Sequence, residues 1–363
     1  MKNRGRLQRI ELEGYRSIQK MDLALTPLNI MIGANGAGKS NFISFFKFMN
    51  KLLERELQLY IRTKLNGADR TLYFGRKTTE KLVINLYFIS NSYCAELVPT
   101  TDDTLAFAKE FASYESEIGY LRDSEQYFLA KAGALESALP KPDISWPSQQ
   151  VAGFLSDWKV YHFHDTSDTA KVKGSYSIHA TQRLMPHGEN LAAFLYSIRE
   201  SAAYSHIVNT IQRVAPYFQD FIFQPEPNDM LRLRWKHQGS DDYFDATMLS
   251  DGTLRFICLS TLLLQPNLPT IILLDEPELG LHPFAMQLLA GLMRSASEKT
   301  QIIAATQSVT LANQFGWQDI VVVDQVENAS VFRRLQETEV AAWLDQYQLG
   351  DVWEMNLLGG TPE

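Results

Sequence analysis

The sequence predicts an α/β fold with a mixed β-sheet, and three stretches carry that prediction. Residues 28–32 form a short apolar run that reads as a buried strand. Gly33-Ala34-Asn35-Gly36-Ala37-Gly38-Lys39-Ser40 follows, and residues 41–49 then read as a helix. Residues 270–274 form a second apolar strand, which ends in the carboxylates Asp275 and Glu276. Between these two, Leu249-Ser250-Asp251-Gly252-Thr253 leads into an apolar run, 254–264, that stops just before Pro266. Strand, glycine-rich turn, Lys-Ser and helix, in that order, is the setting of a phosphate-binding P-loop.

The chemistry follows from the residue types. Glycines let successive backbone N–H groups turn toward one centre without a Cβ in the way. The helix N-terminus adds unpaired N–H groups and about half a positive charge. Lys39 is placed to reach the β- and γ-phosphates of ATP, and the Ser40 hydroxyl to hold Mg2+. Asn35, Gly36, Ala37 and Gly38 in the loop and Asn41 at the start of the helix complete the phosphate-binding set. At the end of the second strand, Asp275 reads as the other Mg2+ holder and Glu276 as the carboxylate that polarises the attacking water. Two readings of residues 249–264 stay open. Asp251-Gly252 between apolar residues is a hairpin signal. The run that follows lacks period-two alternation, however, and fits a buried helix with Ser250 and Gly252 at its N-terminus, a second anion-binding position. One chain does not need two helix N-termini on one phosphate, whereas two chains do when each supplies one half.

Composition narrows the class. With 363 residues the chain can bury a large core, and its 21% charged and 45% hydrophobic content is that of an ordinary globular protein. The net charge of −8 argues against a protein whose main task is to coat nucleic acid. The basic Lys2, Arg4, Arg6 and Arg9 read as a solvated terminus. The two cysteines, Cys94 and Cys258, read as reduced, buried thiols of a cytosolic protein. No apolar run approaches the roughly 20 residues that span a membrane, and no signal peptide is evident.

In chain order, residues 7–15 and 21–25 read as strands bent at Arg16-Ser17. The helix after the P-loop, free of Pro and Gly until Gly67, is expected to run on to Thr63. Residues 82–89 and 93–98 read as an antiparallel pair. From 104 to 139 the sequence is rich in Ala, Glu, Leu and Lys, with Leu105, Ala108, Phe111 and Ala112 at helical spacing and weak points at Gly119 and Gly133; one or two helices are expected there. Pro140, Pro142 and Pro147 mark a linker. Residues 158–163 return to the sheet as a strand, 190–199 and 204–217 are helical, and 221–224 and 231–237 are strands. The division expected is 1–100 as the N-terminal half of the head, 101–150 as an inserted helical lobe and linker, and 151–363 as the C-terminal half.

On these motifs the sequence resembles the ABC-type ATPase heads: Gly33 to Ser40 as Walker A, Leu249-Ser250-Asp251-Gly252 as signature, Leu273 to Glu276 as Walker B and Glu278-Leu279-Gly280-Leu281-His282-Pro283 at the D-loop position. Gly14-Tyr15-Arg16-Ser17-Ile18 and the gap of about 210 residues between P-loop and signature resemble the SMC/RecF branch rather than transporters. Asp251 to Phe256, Asp275 to Pro283 and the tail from Trp343 to Pro362 are similar to AAA-annotated, OLD-like ATPases of phage-defence operons that lack a Toprim domain. The resemblance implies a P-loop NTPase of ABC-ATPase head type with an antiparallel β-subdomain. It adds Arg16 and Ser17 to the nucleotide-binding residues and makes Gln307, in Ala305-Thr306-Gln307-Ser308, the switch residue that senses the γ-phosphate. An amide there, in place of the family's histidine, implies slow hydrolysis. His164 stands near the Q-loop position. The implied activity is ATP hydrolysis coupled to head-to-head dimerisation, with Ser250 and Gly252 closing over the partner's ATP. The implied setting is an antiviral complex with a separate nuclease-like or toxin effector. A RecF-like DNA-repair ATPase and a slowly hydrolysing scaffold are the other readings, and DNA stays open as a partner.

Overall fold

The computed structural model describes residues 5–118 and 121–360. Lys2, Arg4, Gly119, Thr361 and Pro362, which entered the sequence reading, lie outside them. Arg9 is not part of a free basic face, because it pairs with Glu11 and Asp22, each at 2.6 Å.

The chain opens with β1 (Arg9–Tyr15), β2 (Ile18–Ala24) and β3 (Leu28–Ile32), then α1 (Lys39–Leu53), α2 (Leu57–Thr63) and the single turn α3 (Ala68–Thr71). The expected continuous helix from the P-loop to Thr63 is therefore two helices. Arg55 takes a left-handed backbone between them (φ 57°), and the Glu136 carboxylate accepts from the Leu57 and Gln58 N–H groups at 3.2 and 3.1 Å. That cap comes from a residue remote in sequence, so local pattern could not announce it.

Four antiparallel strands follow: β4 (Leu82–Tyr87), β5 (Asn91–Pro99), β6 (Leu105–Ile118) and β7 (Leu121–Phe128). With β1 and β2 they form one sheet, in the order β2-β1-β4-β5-β6-β7. The helical lobe expected at 104–139 is thus a β-hairpin that extends this sheet. The misreading has a physical cause. Between the pairs Leu97–Phe107 and Glu96–Lys109 the register shifts, leaving Ala108 as an extra, bulged residue. The buried side shifts from Leu105 and Phe107 to Glu110 and Ala112, so the period of two is broken and apolar residues fall three and four apart. Buried Glu110 is held by the Tyr93 hydroxyl at 2.8 Å, the Ala138 N–H at 3.0 Å and the Ser137 hydroxyl.

The expected proline linker contains α4 (Trp146–Ser156), with Pro147 in its first turn, where a missing N–H costs nothing. Then come β8 (Trp158–Tyr161), β9 (Ser175–Ser177), α5 (Leu191–Ile198), α6 (Ala202–Val214), β10 (Phe218–Ile222), β11 (Met230–Arg232), β12 (Arg234–His237) and β13 (Tyr243–Asp245). The last part holds α7 (Asp251–Leu264), β14 (Ile271–Asp275), α8 (Pro283–Ser297), β15 (Gln301–Thr306), α9 (Val309–Ala312), β16 (Ile320–Val326), β17 (Ala329–Arg334), α10 (Glu337–Leu344) and α11 (Leu349–Glu354). The helix reading of 254–264 holds, and the hairpin alternative is excluded.

The second large sheet runs β17-β16-β3-β15-β14-β8, parallel except for the β16–β17 hairpin. Its strands alternate between two cores. Ile30, Ile272 and Leu274 face the layer of α5 to α8, whereas Met31, Ile271 and Leu273 face α1 and the antiparallel sheet. Burial on both faces is why these strands read as unbroken apolar runs. Among the described residues no helix is long and apolar enough to cross a membrane.

Candidate nucleotide site

The P-loop joins β3 to α1 at the C-terminal ends of the parallel strands. Gly36 and Gly38 take left-handed backbones (φ 84° and 116°). A Cβ at Gly38 would lie 2.0 Å from Ser330 Oγ of β17, and one at Gly33 2.2 Å from the Val323 carbonyl of β16. Glycine at 33 and 38 thus lets the loop press against the β16–β17 hairpin. A Cβ at Gly36 would meet nothing within 4 Å, so this crest, exposed together with Asn35, faces open space. Lys39 Nζ donates to the Gly33 and Ala34 carbonyls at 2.5 and 2.8 Å. Burial lowers its pKa, and the carboxylates of Glu276, Asp275 and Glu278 oppose that shift.

Walker B stands opposite. The Ser40 hydroxyl hydrogen-bonds the Asp275 carboxylate. Burial raises the Asp275 pKa, as does the charge of Glu276, while His164, Ser40 and Lys47 pull it back. Glu276 sits at φ 43°, a left-handed backbone that is strained for a residue other than glycine, and its N–H donates to the Ala305 carbonyl at 2.8 Å. The Gln307 amide donates to Glu276 Oε1. Glu278 closes the group: one oxygen accepts from the Thr306 hydroxyl at 2.5 Å and the Gln307 N–H at 3.2 Å, and the other is buried without a partner among the described residues. Hydroxyl and carboxylate together are the oxygen donors Mg2+ prefers, so this pair fits the ion.

Arg16 and Ser17 join the site through the first helix. Arg16 donates to Asn41 Oδ1 at 3.1 Å, and Asn41 Nδ2 donates to Ser17 Oγ at 2.7 Å. Ser250 and Gly252 do not join it: among the described residues no hydrogen bond links either to the P-loop. Ser250 caps α7, accepting from the Thr253 N–H at 3.2 Å, and a Cβ at Gly252 would lie 2.3 Å from the Gly280 carbonyl. The signature turn is therefore pressed against the D-loop.

Arg255, His162 and His187 at the site escaped the sequence reading, whereas His164 did not. Arg255 on α7 donates to the carbonyls of Phe163, His164 and Leu279 at 3.3, 2.7 and 3.0 Å, tying the signature helix to two loops at once. His164 Nε2 donates to the Asp275 carbonyl at 2.6 Å. Behind it, His162 stacks on His187, and burial, with Lys47, His164 and His187 adding to it, lowers its pKa to about 4. Only His164 carried a signal, through its place after a strand; the others depend on long-range contacts.

The fold is that of an ABC-type ATPase head of the SMC-like kind. Solved structures with this fold include an Smc head bound to the C-winged helix domain of ScpA (TM-score 0.59, 14% identity, 93% of this chain and 99% of that one) and the Pyrococcus furiosus Smc head domain with an extended coiled coil, bound to the C-terminal domain of ScpA (0.56, 12%, 94% and 98%). The chain belongs to the family described as "AAA domain, putative AbiEii toxin, Type IV TA system", whose model matches residues 28–313. No curated protein matches it.

Proposed function

We propose that this chain is an ATPase whose heads pair around ATP, and that it acts as the switch subunit of an antiviral complex with a separate effector. The observation that carries the ATPase reading is the meeting of Lys39 and Ser40 with Asp275 and Glu276 across the ends of β3 and β14. Lys39 exchanges its loop carbonyls for phosphate oxygens. Ser40 and Asp275 would hold Mg2+, which would supply charge neutralisation at the phosphates. Glu276 directs water, held by the Gln307 amide. Because that amide is engaged with Glu276 and carries no charge, turnover is slow.

Pairing is supported by the exposed apolar residues around the signature turn, Met248, Leu279 and Phe284. They flank Ser250 and Gly252, which no element of their own chain brings to a phosphate. The family description supports a toxin-type setting, and the partner-bound Smc heads support a protein effector. The test is light scattering on Glu276→Gln with and without Mg-ATP. A doubling of mass supports the composite site; a mass above monomer that ignores ATP overturns dimerisation as the switch.

A further inference from the structure

The segment that ends at Gly360 returns to the P-loop by way of α9 and α11. α11 is docked on α9, the helix that begins two residues after Gln307. The Gly350 N–H donates to Asn313 Oδ1 at 2.5 Å, and a Cβ at Gly350 would lie 2.6 Å from the Val309 carbonyl. Only a residue without a Cβ lets the two backbones approach this closely. Beyond α11, Leu358 is 2% exposed, and its carbonyl accepts from Arg333 of β17 at 2.8 Å.

Gly359 and Gly360 then lay the backbone on the phosphate loop. Both are left-handed, at φ 75° and 77°, a conformation that glycine adopts at no steric cost. A Cβ at Gly359 would lie 2.7 Å from Asp324 Oδ2, and the Gly360 N–H donates to Asp324 Oδ1. Asp324 follows Val323 in β16, whose carbonyl already occupies the place of a Cβ on Gly33. A Cβ at Gly360 would lie 3.2 Å from Gly33 Cα, so Gly33 has β16 on one side and this segment on the other. The Gly33 carbonyl is one of the two that accept from Lys39. When Lys39 turns to a phosphate, Gly33 loses that contact and keeps its place through its backbone neighbours. A loop already ordered in the free chain need not be ordered by its ligand, and affinity rises accordingly.

We infer that Asp324 and Gly360 are positioning residues for nucleotide binding, joined in a clasp that holds Gly33 in place and ties the P-loop, through α11, to the segment after Gln307. The inference rests on the nucleotide reading of the P-loop. Neither residue touches the reacting atoms, so the clasp acts on affinity for ATP and not on turnover at saturation.

The test is calorimetry with Mg-ATP on the full chain, beside phosphate release at saturating ATP and thermal melting. Asp324→Ala removes the acceptor and should weaken ATP about tenfold, the order of one hydrogen bond to a charged group, with saturated phosphate release unchanged. Asp324→Asn keeps an oxygen acceptor at that place and should restore the affinity. Gly360→Ala lies outside every helix and strand; it should weaken ATP to a similar degree while melting as wild type does, and it decides the matter if Asp324→Ala does not fold. Wild-type affinity in Gly360→Ala, or a lower melting temperature with unchanged affinity in Asp324→Ala, would make the contact a structural one and overturn the inference. Equal weakening by Asp324→Asn and Asp324→Ala would overturn the part given to the hydrogen bond. If the wild-type chain bound no ATP, the nucleotide reading would have failed and the inference with it.

Discussion

Two helices of this protein point their N-termini toward positions where a phosphate is expected, and they are built differently. α1 has no side-chain cap and no acid in its first turn, and Gly38 before it is left-handed, with the glycine crest in front open. α7 is capped by its own Ser250, carries Asp251 in its first turn and is docked on the D-loop. The first end is prepared to receive an anion as it stands, since its orphan N–H groups have no local partner. The second is already satisfied. For Ser250 to meet a phosphate, it must give up its bond to Thr253, and the ligand must tolerate Asp251. The P-loop end is thus prepared within one chain, and under the proposed pairing the signature end would meet a phosphate through a partner chain.

Breaking the prepared end should have the largest effect. Lys39→Ala removes the cation from the loop, and calorimetry should then detect no ATP binding; retained binding would mean that the α1 end suffices alone. Next comes the carboxylate facing it. Glu276→Gln should keep ATP affinity and lower hydrolysis by about a hundredfold to ten-thousandfold, the usual worth of a general base. Wild-type phosphate release by this variant would remove Glu276 from that role.

The satisfied end gives subtler results. Ser250→Ala loses a helix cap, so chemical denaturation should show about 1 kcal/mol less stability, with ATP affinity of the single chain unchanged. Placed in the Glu276→Gln background, it should also prevent the ATP-dependent doubling of mass. If the mass still doubles, Ser250 is a cap and nothing more.

The smallest effect concerns Glu278, which links the two halves through Thr306 and Gln307. Burial raises its pKa above the ordinary value of 4.5, so the folded state binds its proton more tightly than the unfolded chain does. Its contribution to stability is therefore full below that value and declines as pH rises through the raised one. Glu278→Gln keeps an acceptor for Thr306 and Gln307 and should flatten that decline in pH-dependent melting. An unchanged profile would show that Glu278 does not titrate differently in the fold.

What the sequence determined by itself is local. Glycine positions, the Lys-Ser pair and apolar runs closed by carboxylates or proline specify strand–loop–helix units, because backbone freedom and helix-end chemistry act within a few residues. The P-loop, the Walker B strand and the buried helix after Ser250 were legible for that reason. Tertiary structure decided what depends on distant partners. Residues 105–118 and 121–128, helical in composition, became strands because β5 offers a paired edge and a bulge at Ala108 absorbs the broken period. The helix after the P-loop stopped at Leu53 because Glu136 caps a second one. Arg255, Glu278 and the His162–His187 stack became part of the site because parallel strands bring their ends together, and composition does not record which ends meet.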